Sequence, residues 1–201
     1  MEVYFVRHGE TDGNVARRHQ HHDTALNEIG IEQAKKVASE ITNLKPTHLI
    51  TSTQLRAVQT TKIIVSECFD LIPETHTAFE ELRRPNWLTG NSYFNLTTAW
   101  YIWRWFYGFK VRGEGESYDD LLNRVIEART YLESLPKDAR VVVVSHAVFI
   151  NIFLEHLCND KRMGMRRAIK RLKHVLTLRN TSIIHLRFTP KENQCNWEIV
   201  T

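Results

Sequence analysis

The sequence predicts an α/β fold, a three-layer αβα sandwich whose mostly parallel central sheet has helices on both faces. Short β-branched runs alternate along the chain with longer segments whose apolar residues recur at helical spacing. The clearest run is the four consecutive valines from Val141 to Val144, which is typical of a central strand buried on both faces. The 201 residues fit a single domain, 1–201, because no repeat or linker divides them.

The first half of the chain predicts two strands and two helices. Residues 3–6 form a short apolar run that ends at a charged Arg7, as expected of a buried strand. Residues 30–44 place apolar side chains three and four positions apart with Lys and Glu between them, which indicates an amphipathic helix. A second apolar run at 48–51 predicts another strand. The hydroxyl residues after it can cap a helix over 54–67.

The second half continues the same alternation. Residues 116–134 have one apolar face and predict a helix, which leads into the four-valine strand at 141–144. Residues 148–157 then predict a short helix. The chain closes with two strands at 183–188 and 197–200, which we expect to pair as an edge hairpin.

Composition excludes several classes of protein. Hydrophobic residues make up 42% of the chain and charged residues 25%, so the chain is neither disordered nor of low complexity. No stretch approaches the roughly 20 apolar residues of a membrane span, and the first residues do not resemble a signal peptide. The three cysteines (Cys68, Cys158 and Cys195) are far apart and odd in number, which favours free thiols and a cytoplasmic location.

The net charge of +4 is concentrated in one segment. Residues 161–191 hold ten Lys or Arg and no Asp or Glu, whereas the rest of the chain has a net charge of −6. Within the basic segment 161–179, Met165, Ile169, Leu172 and Leu176 recur at helical spacing, which predicts a basic amphipathic helix. A solvated face, attraction of an anionic substrate, nucleic-acid binding and docking on an anionic membrane all remain open for it.

Two histidines stand at the carboxyl ends of predicted strands. His8 follows the first strand and His146 follows the four-valine strand, so both are expected at the edge of the sheet where α/β proteins place functional residues. Arg7 precedes His8, and Arg56 opens the helix after the second strand. Arginine binds phosphate oxygens in a bidentate manner, and neutral imidazole is a competent nucleophile. The sequence therefore predicts a phosphate pocket at this edge.

Six blocks in order along the chain resemble the signatures of the histidine phosphatase superfamily, the phosphoglycerate mutase-like group with the R-H-G motif. They run from residue 6 to residue 183 and are Val6-Arg7-His8-Gly9-Glu10-Thr11-Asp12-Gly13-Asn14, Leu26-Asn27-Glu28-Ile29-Gly30-Ile31-Glu32-Gln33-Ala34, Thr51-Ser52-Thr53-Gln54-Leu55-Arg56-Ala57-Val58-Gln59-Thr60, Gly115-Glu116-Ser117 with Arg124, Val143-Val144-Ser145-His146-Ala147, and Asn180-Thr181-Ser182-Ile183. One motif alone would be a weak signal, but six in order are specific.

The resemblance implies phosphoryl transfer through a phosphohistidine. His8 would attack phosphorus, while Arg7, Arg56 and His146 would hold the phosphoryl oxygens. Asn14 and Ala147 would add phosphate contacts. The resemblance implies no metal and no cofactor. The segment at residues 19–24 departs from the family pattern, which leaves the substrate contacts there in doubt.

The same resemblance implies a carboxylic acid that protonates the leaving group. Glu81 is the predicted acid, with Glu80 as the alternative. Residues 91–113 form the predicted helical insertion, whose aromatic residues either pack on the body of the protein or cover the pocket as a lid. If they form a lid, replacing Trp103 and Trp105 with Ala should change KM.

The sequence thus predicts a metal-independent phosphatase that hydrolyses phosphomonoesters through His8. The alternatives are a phosphoglycerate mutase, from which the chain differs by lacking the longer insertion, and a non-enzymatic phosphate-binding regulatory module. The expected partner is a small, anionic, phosphorylated substrate. Nucleic acid is disfavoured but stays open, and the identity of the substrate and the oligomeric state are left open.

Overall fold

A single six-stranded sheet organises the molecule. The computed structural model describes residues 1–68, 71–109, 115–192 and 194–200. The strands are β1 (Glu2–Arg7), β2 (His48–Thr51), β3 (Glu74–Thr75), β4 (Arg140–Ser145), β5 (Ile183–Phe188) and β6 (Trp197–Ile199). Their order across the sheet is β3-β2-β4-β1-β5-β6.

Helices surround this sheet. In the described part of the chain they are α1 (Asp12–Val15), α2 (Glu28–Leu44), α3 (Leu55–Cys68), α4 (Leu96–Phe106), α5 (Tyr118–Glu133), α6 (Ala147–Glu155) and α7 (Met165–Thr177). Single 3₁₀ turns lie at Thr77–Phe79 and Asn86–Leu88. No helix within these ranges is long and apolar enough to cross a bilayer.

The strand pairing confirms the predicted sheet. Strands β3, β2, β4 and β1 run parallel, while β5 pairs antiparallel with β1 and forms the expected hairpin with β6. All five predicted strands are present within one or two residues of their expected bounds. The sixth strand, β3, has only two residues, which is too short for any alternation of apolar and polar residues to reveal it.

Alternation along the central strands divides the core into two layers. Val3 and Phe5 of β1 pack with residues of α5 and α6 on one face. Tyr4 and Val6 point to the other face and pack with residues of α2 and α3. The four valines of β4 divide in the same way, so the strand is buried on both faces as predicted. This is the three-layer αβα arrangement.

Helix boundaries near the sheet edge follow from their caps. Helix α5 begins at Tyr118, two residues later than predicted, because Ser117 and Asp120 form a reciprocal capping box. Helix α6 begins at Ala147, one residue earlier than predicted, since the chain passes directly from β4 into the helix through His146 as the N-cap residue. A histidine is thereby fixed between a strand and a helix.

The expectation of three free thiols is wrong for two of the cysteines. Cys158 and Cys195 form a disulfide, and their Cα atoms are 5.2 Å apart. They are 37 residues apart in sequence, and the β5–β6 hairpin returns the chain to the end of α6, where Cys158 lies. Sequence spacing alone does not reveal this approach, because it depends on the order of strands in the sheet.

Candidate active site

The carboxyl ends of β1, β2 and β4 meet at one edge of the sheet. Arg7 pairs with Ser145 across β1 and β4, and the backbone N–H of His8 donates to the Ser145 carbonyl at 3.0 Å. His8 and His146 are therefore neighbours, with ring centroids 5.0 Å apart. The parallel register brings together the two strand-end histidines that the sequence analysis singled out.

Hydrogen bonds define the protonation of His8. Its Nδ1 lies 2.7 Å from the carbonyl oxygen of Gly9, which can only accept a hydrogen bond. The Nε–H of Arg56 donates to Nε2 of His8 at 3.2 Å. The neutral ring therefore carries its proton on Nδ1 and its lone pair on Nε2, so Nε2 can act as a nucleophile.

The surroundings keep both histidines neutral. Burial and the positive charges of Arg56 and Arg7 hold the pKa of His8 well below its usual 6.5. Burial, Arg56 and His8 do the same to the pKa of His146. A nucleophilic lone pair thus persists on His8 at neutral and mildly acidic pH.

His146 is oriented by Ser52, which follows β2. Nε2 of His146 lies 2.7 Å from the Ser52 hydroxyl, and both side chains are fully buried. Within the described chain, Nδ1 of His146 has no hydrogen-bond partner although it is buried. A buried polar atom without a partner is costly, so this nitrogen is suited to a ligand that enters the site.

Two arginines, Arg56, which is buried, and Arg7, which is partly buried, supply positive charge. Arg56 is 3% exposed, donates to the His21 carbonyl at 3.1 Å and also binds the side chain of Gln54. Burial lowers its pKa to about 10, against the opposing effect of Glu81, so it remains charged at neutral pH. Arg7 donates to the Leu178 carbonyl, and burial also lowers its pKa. Among the described residues, Arg7 Nε has no partner.

A cavity of about 230 Å³ opens beside these groups. Its lining is polar and cationic: His19, Gln20, His21, His22, Gln54, Arg56, Glu80, Glu81, Leu82, Arg83, Arg84, Asn86 and Thr89. His8 is not among the lining residues, but it lies within hydrogen-bond distance of the Arg56 guanidinium, which is. A cavity of this size and charge suits a small anion.

The two candidate acids occupy different surroundings. Glu80 accepts hydrogen bonds from Thr53 and from Arg83, the latter at 2.8 Å. Burial alone would raise the pKa of Glu80, but these hydrogen bonds outweigh it and hold that pKa below 4.5. Glu80 is therefore kept ionised by an ion pair that lies beside the cavity.

Glu81 is held at the start of α6. Its carboxylate accepts the backbone N–H of Val148 at 3.3 Å and that of Phe149 at 3.1 Å. The same carboxylate opposes the lowering of the pKa of Arg7 and Arg56, so it shares the field of the two arginines. The side chain of Glu81, the candidate acid, is therefore tied to the first turn of α6, the helix that follows His146.

Arg124 of α5 fixes the backbone of both glutamates. Its guanidinium donates to the carbonyls of Ala78, Glu80 and Glu81 at 3.1, 2.6 and 3.3 Å. It also forms a buried, two-point ion pair with Glu116, at 2.5 and 3.1 Å. The Gly-Glu-Ser and Arg motif of the sequence is thus the support of the acid loop.

The remaining predicted residues lie close to this group. Oδ1 of Asn14 accepts from Thr11 and from Asn180, whose amide also donates to the His8 carbonyl at 2.9 Å. Ala147 is the first residue of α6 and is buried next to His146. Their phosphate contacts stay predictions, and the visible role of Asn14 is to tether the loop after β1.

Sequence reasoning missed several supporting residues. Ser52 holds His146, Gln54 binds Arg56, and Thr60 accepts the N–H of Gly9 at 3.0 Å. All three lie in the block Thr51–Thr60 that carries Arg56, so their position in the motif was the available signal. His19 gave no such signal. It is buried against Thr98 of α4, and burial and Arg84 lower its pKa to about 3.

Helix α4 of the predicted insertion 91–113 adjoins this site. The bond between His19 and Thr98 and the packing of Tyr93 on His19 join it to the cavity wall. Tyr101 and Trp105 pack into the core, as the body-packing interpretation predicts, whereas Trp103 is about half exposed. No residue of α4 lines the described cavity, so the lid remains a prediction. Residues 110–113 lie outside the described residues.

Comparison with known proteins agrees with the site. The sequence profile of the histidine phosphatase superfamily (branch 1) matches residues 3–199. A probable phosphoglycerate mutase, GpmB, of Proteus mirabilis is 33% identical over 192 residues, which cover 91% of this chain and 83% of that protein. A probable phosphoglycerate mutase, GpmB, of Yersinia pestis is 35% identical over 188 residues, with the same two coverages.

Solved structures share the fold. A mycobacterial glucosyl-3-phosphoglycerate phosphatase superposes with a TM-score of 0.73 at 23% identity, covering 99% of this chain and 96% of its own. A phosphoserine phosphatase mutant from Entamoeba histolytica, in complex with phosphoserine, gives a TM-score of 0.77 at 20% identity, covering 100% and 95%. The profile match over nearly the whole chain, together with relatives above 30% identity, settles the family. The chain belongs to the histidine phosphatase superfamily, branch 1.

Proposed function

We propose that this protein is a metal-independent phosphatase that hydrolyses small phosphomonoesters through a phosphohistidine on His8. The observation that carries the proposal is the lone pair on Nε2 of His8, kept available by the Nδ1 bond to Gly9 and flanked by the Arg56 guanidinium. Arginine and histidine donors supply the positive charge that a phosphoryl group requires.

In the first step, Nε2 of His8 attacks phosphorus in line with the ester oxygen. The N–P bond forms as the P–O ester bond breaks, and the leaving oxygen takes a proton from Glu81. Arg7, Arg56 and Nδ1 of His146 donate to the three equatorial oxygens, on which charge spreads in the transition state. The buried Nε of Arg7 and Nδ1 of His146 are available for this role.

In the second step, water attacks the phosphohistidine. Glu81, now ionised, takes a proton from the water, and the electrons of the N–P bond return to Nε2 of His8. Inorganic phosphate leaves, and the site regains its starting protonation. We assign this role to Glu81, which lines the cavity and lies in the electrostatic field of Arg7 and Arg56, with Glu80, which Arg83 and Thr53 engage, as the alternative.

The test is a panel of phosphomonoesters assayed with the wild type and His8→Ala. We expect phosphate release to fall by at least about 10⁴-fold in the variant, because the nucleophile is lost. His174→Ala, an exposed histidine on α7, is the matched control and should keep the wild-type rate. EDTA should leave the rate unchanged. Equal rates for His8→Ala and the wild type would refute the mechanism.

A second experiment separates the two glutamates. In Glu81→Gln, hydrolysis of alkyl phosphates should fall by about 10²–10⁴-fold, while hydrolysis of p-nitrophenyl phosphate falls far less, since that leaving group needs no proton. Glu80→Gln is the matched variant and should not show this dependence on the leaving group. The reverse pattern would exchange the roles of the two residues.

The phosphoglycerate mutase alternative rests on the names of the curated relatives. It is tested by incubating the protein with 3-phosphoglycerate and a catalytic amount of 2,3-bisphosphoglycerate. A phosphatase releases inorganic phosphate, whereas a mutase forms 2-phosphoglycerate without net release. A non-enzymatic module would do neither while still binding phosphate.

A further inference from the structure

Helix α4 presents an apolar face to solvent. Thr98, Tyr101 and Trp105 are buried on its inner side. The outer side repeats large apolar residues at intervals of three and four, and these are half exposed or more: Leu96, Trp100, Trp103 and Tyr107. Soluble proteins expose single apolar side chains commonly, but a contiguous stripe of this kind marks an interaction surface.

Ring contacts make this stripe continuous with Phe109. The Trp103 ring lies 5.4 Å from that of Tyr107 and 6.0 Å from that of Phe109. The Arg104 guanidinium covers the rings of Trp100 and Phe109 at 5.1 and 5.4 Å. We call this set the aromatic face: Leu96, Trp100, Trp103, Tyr107 and Phe109.

Helix α7 adds charge and further apolar surface. Ala168 packs against the core of the protein, whereas Leu172 and Leu176 are 44% and 50% exposed. Beside these leucines, three exposed cations follow one another on a single side of the helix: Arg166, Lys170 and Lys173. We call these three the cationic stripe.

Among the described residues, no carboxylate neutralises the cationic stripe. In the described ranges, no Asp or Glu oxygen lies within 4.0 Å of its members. The ion pairs of α7 instead involve Arg167 and Arg171, which both bind Glu155. Since residues 161–191 contain no acidic residue, the surface is a positive field next to exposed leucines.

Arg162 joins the two surfaces. Its guanidinium lies over the ring of Tyr118 at 4.8 Å, and Tyr118 packs against Phe106 of α4. It also sits against Gly108, where a Cβ would lie 2.9 Å from its Nη2. The end of the aromatic face therefore meets the segment that leads into α7.

We propose that the aromatic face and the cationic stripe together dock this protein on an anionic phospholipid bilayer. Trp and Tyr rings favour the boundary between headgroups and acyl chains, and a basic amphipathic helix adds attraction to anionic lipid. Nucleic acid would use the cations and the rings, but it has no use for the exposed leucines of both helices. The charge of the stripe complements a negative surface, and the leucines provide the apolar burial that a bilayer offers.

Vesicle flotation tests whether the cationic stripe attracts the protein to anionic lipid. At low salt, the wild type should float with vesicles of phosphatidylcholine that contain 30% phosphatidylglycerol. Little of it should float with vesicles of phosphatidylcholine alone. Each basic residue near an anionic surface contributes about fivefold to partitioning, so the charge reversal Arg166→Glu/Lys170→Glu/Lys173→Glu should lower it by at least about 100-fold. The matched control reverses the charge of three exposed lysines elsewhere on the surface by Lys→Glu substitution: Lys36, Lys62 and Lys137. This control should bind anionic vesicles at least tenfold better than the variant of the cationic stripe.

Acyl-chain contact tests the aromatic face. Brominated lipids should quench the tryptophan fluorescence of the wild type in anionic vesicles. Trp103→Ser/Tyr107→Ser should reduce both the quenching and the partitioning, with its fold checked by circular dichroism. Hydrolysis of a soluble phosphomonoester by the charge-reversed triple variant should equal that of the wild type, which shows that the variant is folded.

Four results would overturn the proposal. One is a wild type that does not float with anionic vesicles, and another is a charge-reversed variant that floats as well as its control. The third is an absence of bromine quenching together with binding to single-stranded RNA that the same substitutions abolish, since this would assign the surface to nucleic acid. The fourth is a dimer, detected by light scattering, that Trp103→Ser/Tyr107→Ser breaks, since this would replace the bilayer with a second copy of the chain.

Discussion

Replacing Arg124 with Met should destabilise the protein strongly. The guanidinium is 7% exposed and makes five hydrogen bonds, two to the Glu116 carboxylate and three to carbonyls of the loop that ends at Glu81. Arg124→Met leaves the carboxylate of Glu116 buried without a cation. Breaking a buried pair from one side costs about 3–5 kcal/mol. A chain of this length loses about 2–4 °C in Tm per kcal/mol, so we expect a fall of about 6–20 °C.

Two further variants test whether the loss of stability comes from the buried, unpaired charge of Glu116. Arg124→Met/Glu116→Gln removes the stranded charge and should recover at least about 1 kcal/mol relative to the single variant. Arg187→Met breaks a solvent-screened surface pair with Glu2 and should lower Tm far less than Arg124→Met does.

The assay is thermal unfolding followed by circular dichroism, together with turnover of an alkyl phosphate at a temperature where each variant is folded. Turnover should fall in Arg124→Met because the backbone of Glu81 loses its support. A Tm within 2 °C of the wild type, with full activity, would refute the structural role of this pair.

The two buried histidines, the close packing of Gly30 and the disulfide each make a prediction about stability. Because burial and the two arginines depress the pKa of His8 and of His146 in the folded state, the unfolded chain binds more protons below pH 6.5. Stability should therefore fall as the pH drops from 7 to 5, by up to about 2 kcal/mol per histidine at pH 5, and melting temperatures that do not change over this range would contradict this. Gly30→Ala should lower the free energy of unfolding, measured in urea, by about 1–3 kcal/mol, because its Cβ would lie 2.7 Å from a backbone nitrogen of the loop after β1. A variant as stable as the wild type would show that this loop moves aside without cost. Reduction of Cys158–Cys195 should lower the free energy of unfolding by up to about 4 kcal/mol for a loop of this length, and a thiol titration that finds three free cysteines in the unreduced protein would show that the bridge does not form.

The sequence was informative where one local pattern determines the result. The run of valines in β4 fits only a strand buried on both faces, and this strand fixed the position of His146 at its end. The same logic placed His8 after β1 at the same edge of the sheet, whereas the contact of the two rings depends on β1 and β4 being neighbours, which the strand order of the structure shows. The motif blocks identified Arg56 as a further site residue, and Arg56 lies in the first turn of α3.

Features that depend on distant segments were not predictable in this way. The disulfide needs the β5–β6 hairpin to return beside α6, which no spacing reveals. The burial of His19 depends on the insertion folding back on the loop before α2, where Thr98 meets its ring. The partner of Arg83 also needed the structure, since only packing shows that it engages Glu80 and leaves the Glu81 carboxylate to the backbone of α6.

The hydrogen bond from Arg56 to Nε2 of His8 occupies the lone pair that the proposed mechanism uses for attack. A neutral ester or alkylating agent competes only weakly for this guanidinium, so the lone pair stays occupied when such a molecule enters. A phosphate monoester brings anionic oxygens that compete strongly for the same donor and would release the lone pair. On this mechanism, selectivity for phosphoryl groups lies in the sharing of one N–H between His8 and the substrate, and the protein should react slowly with neutral histidine reagents.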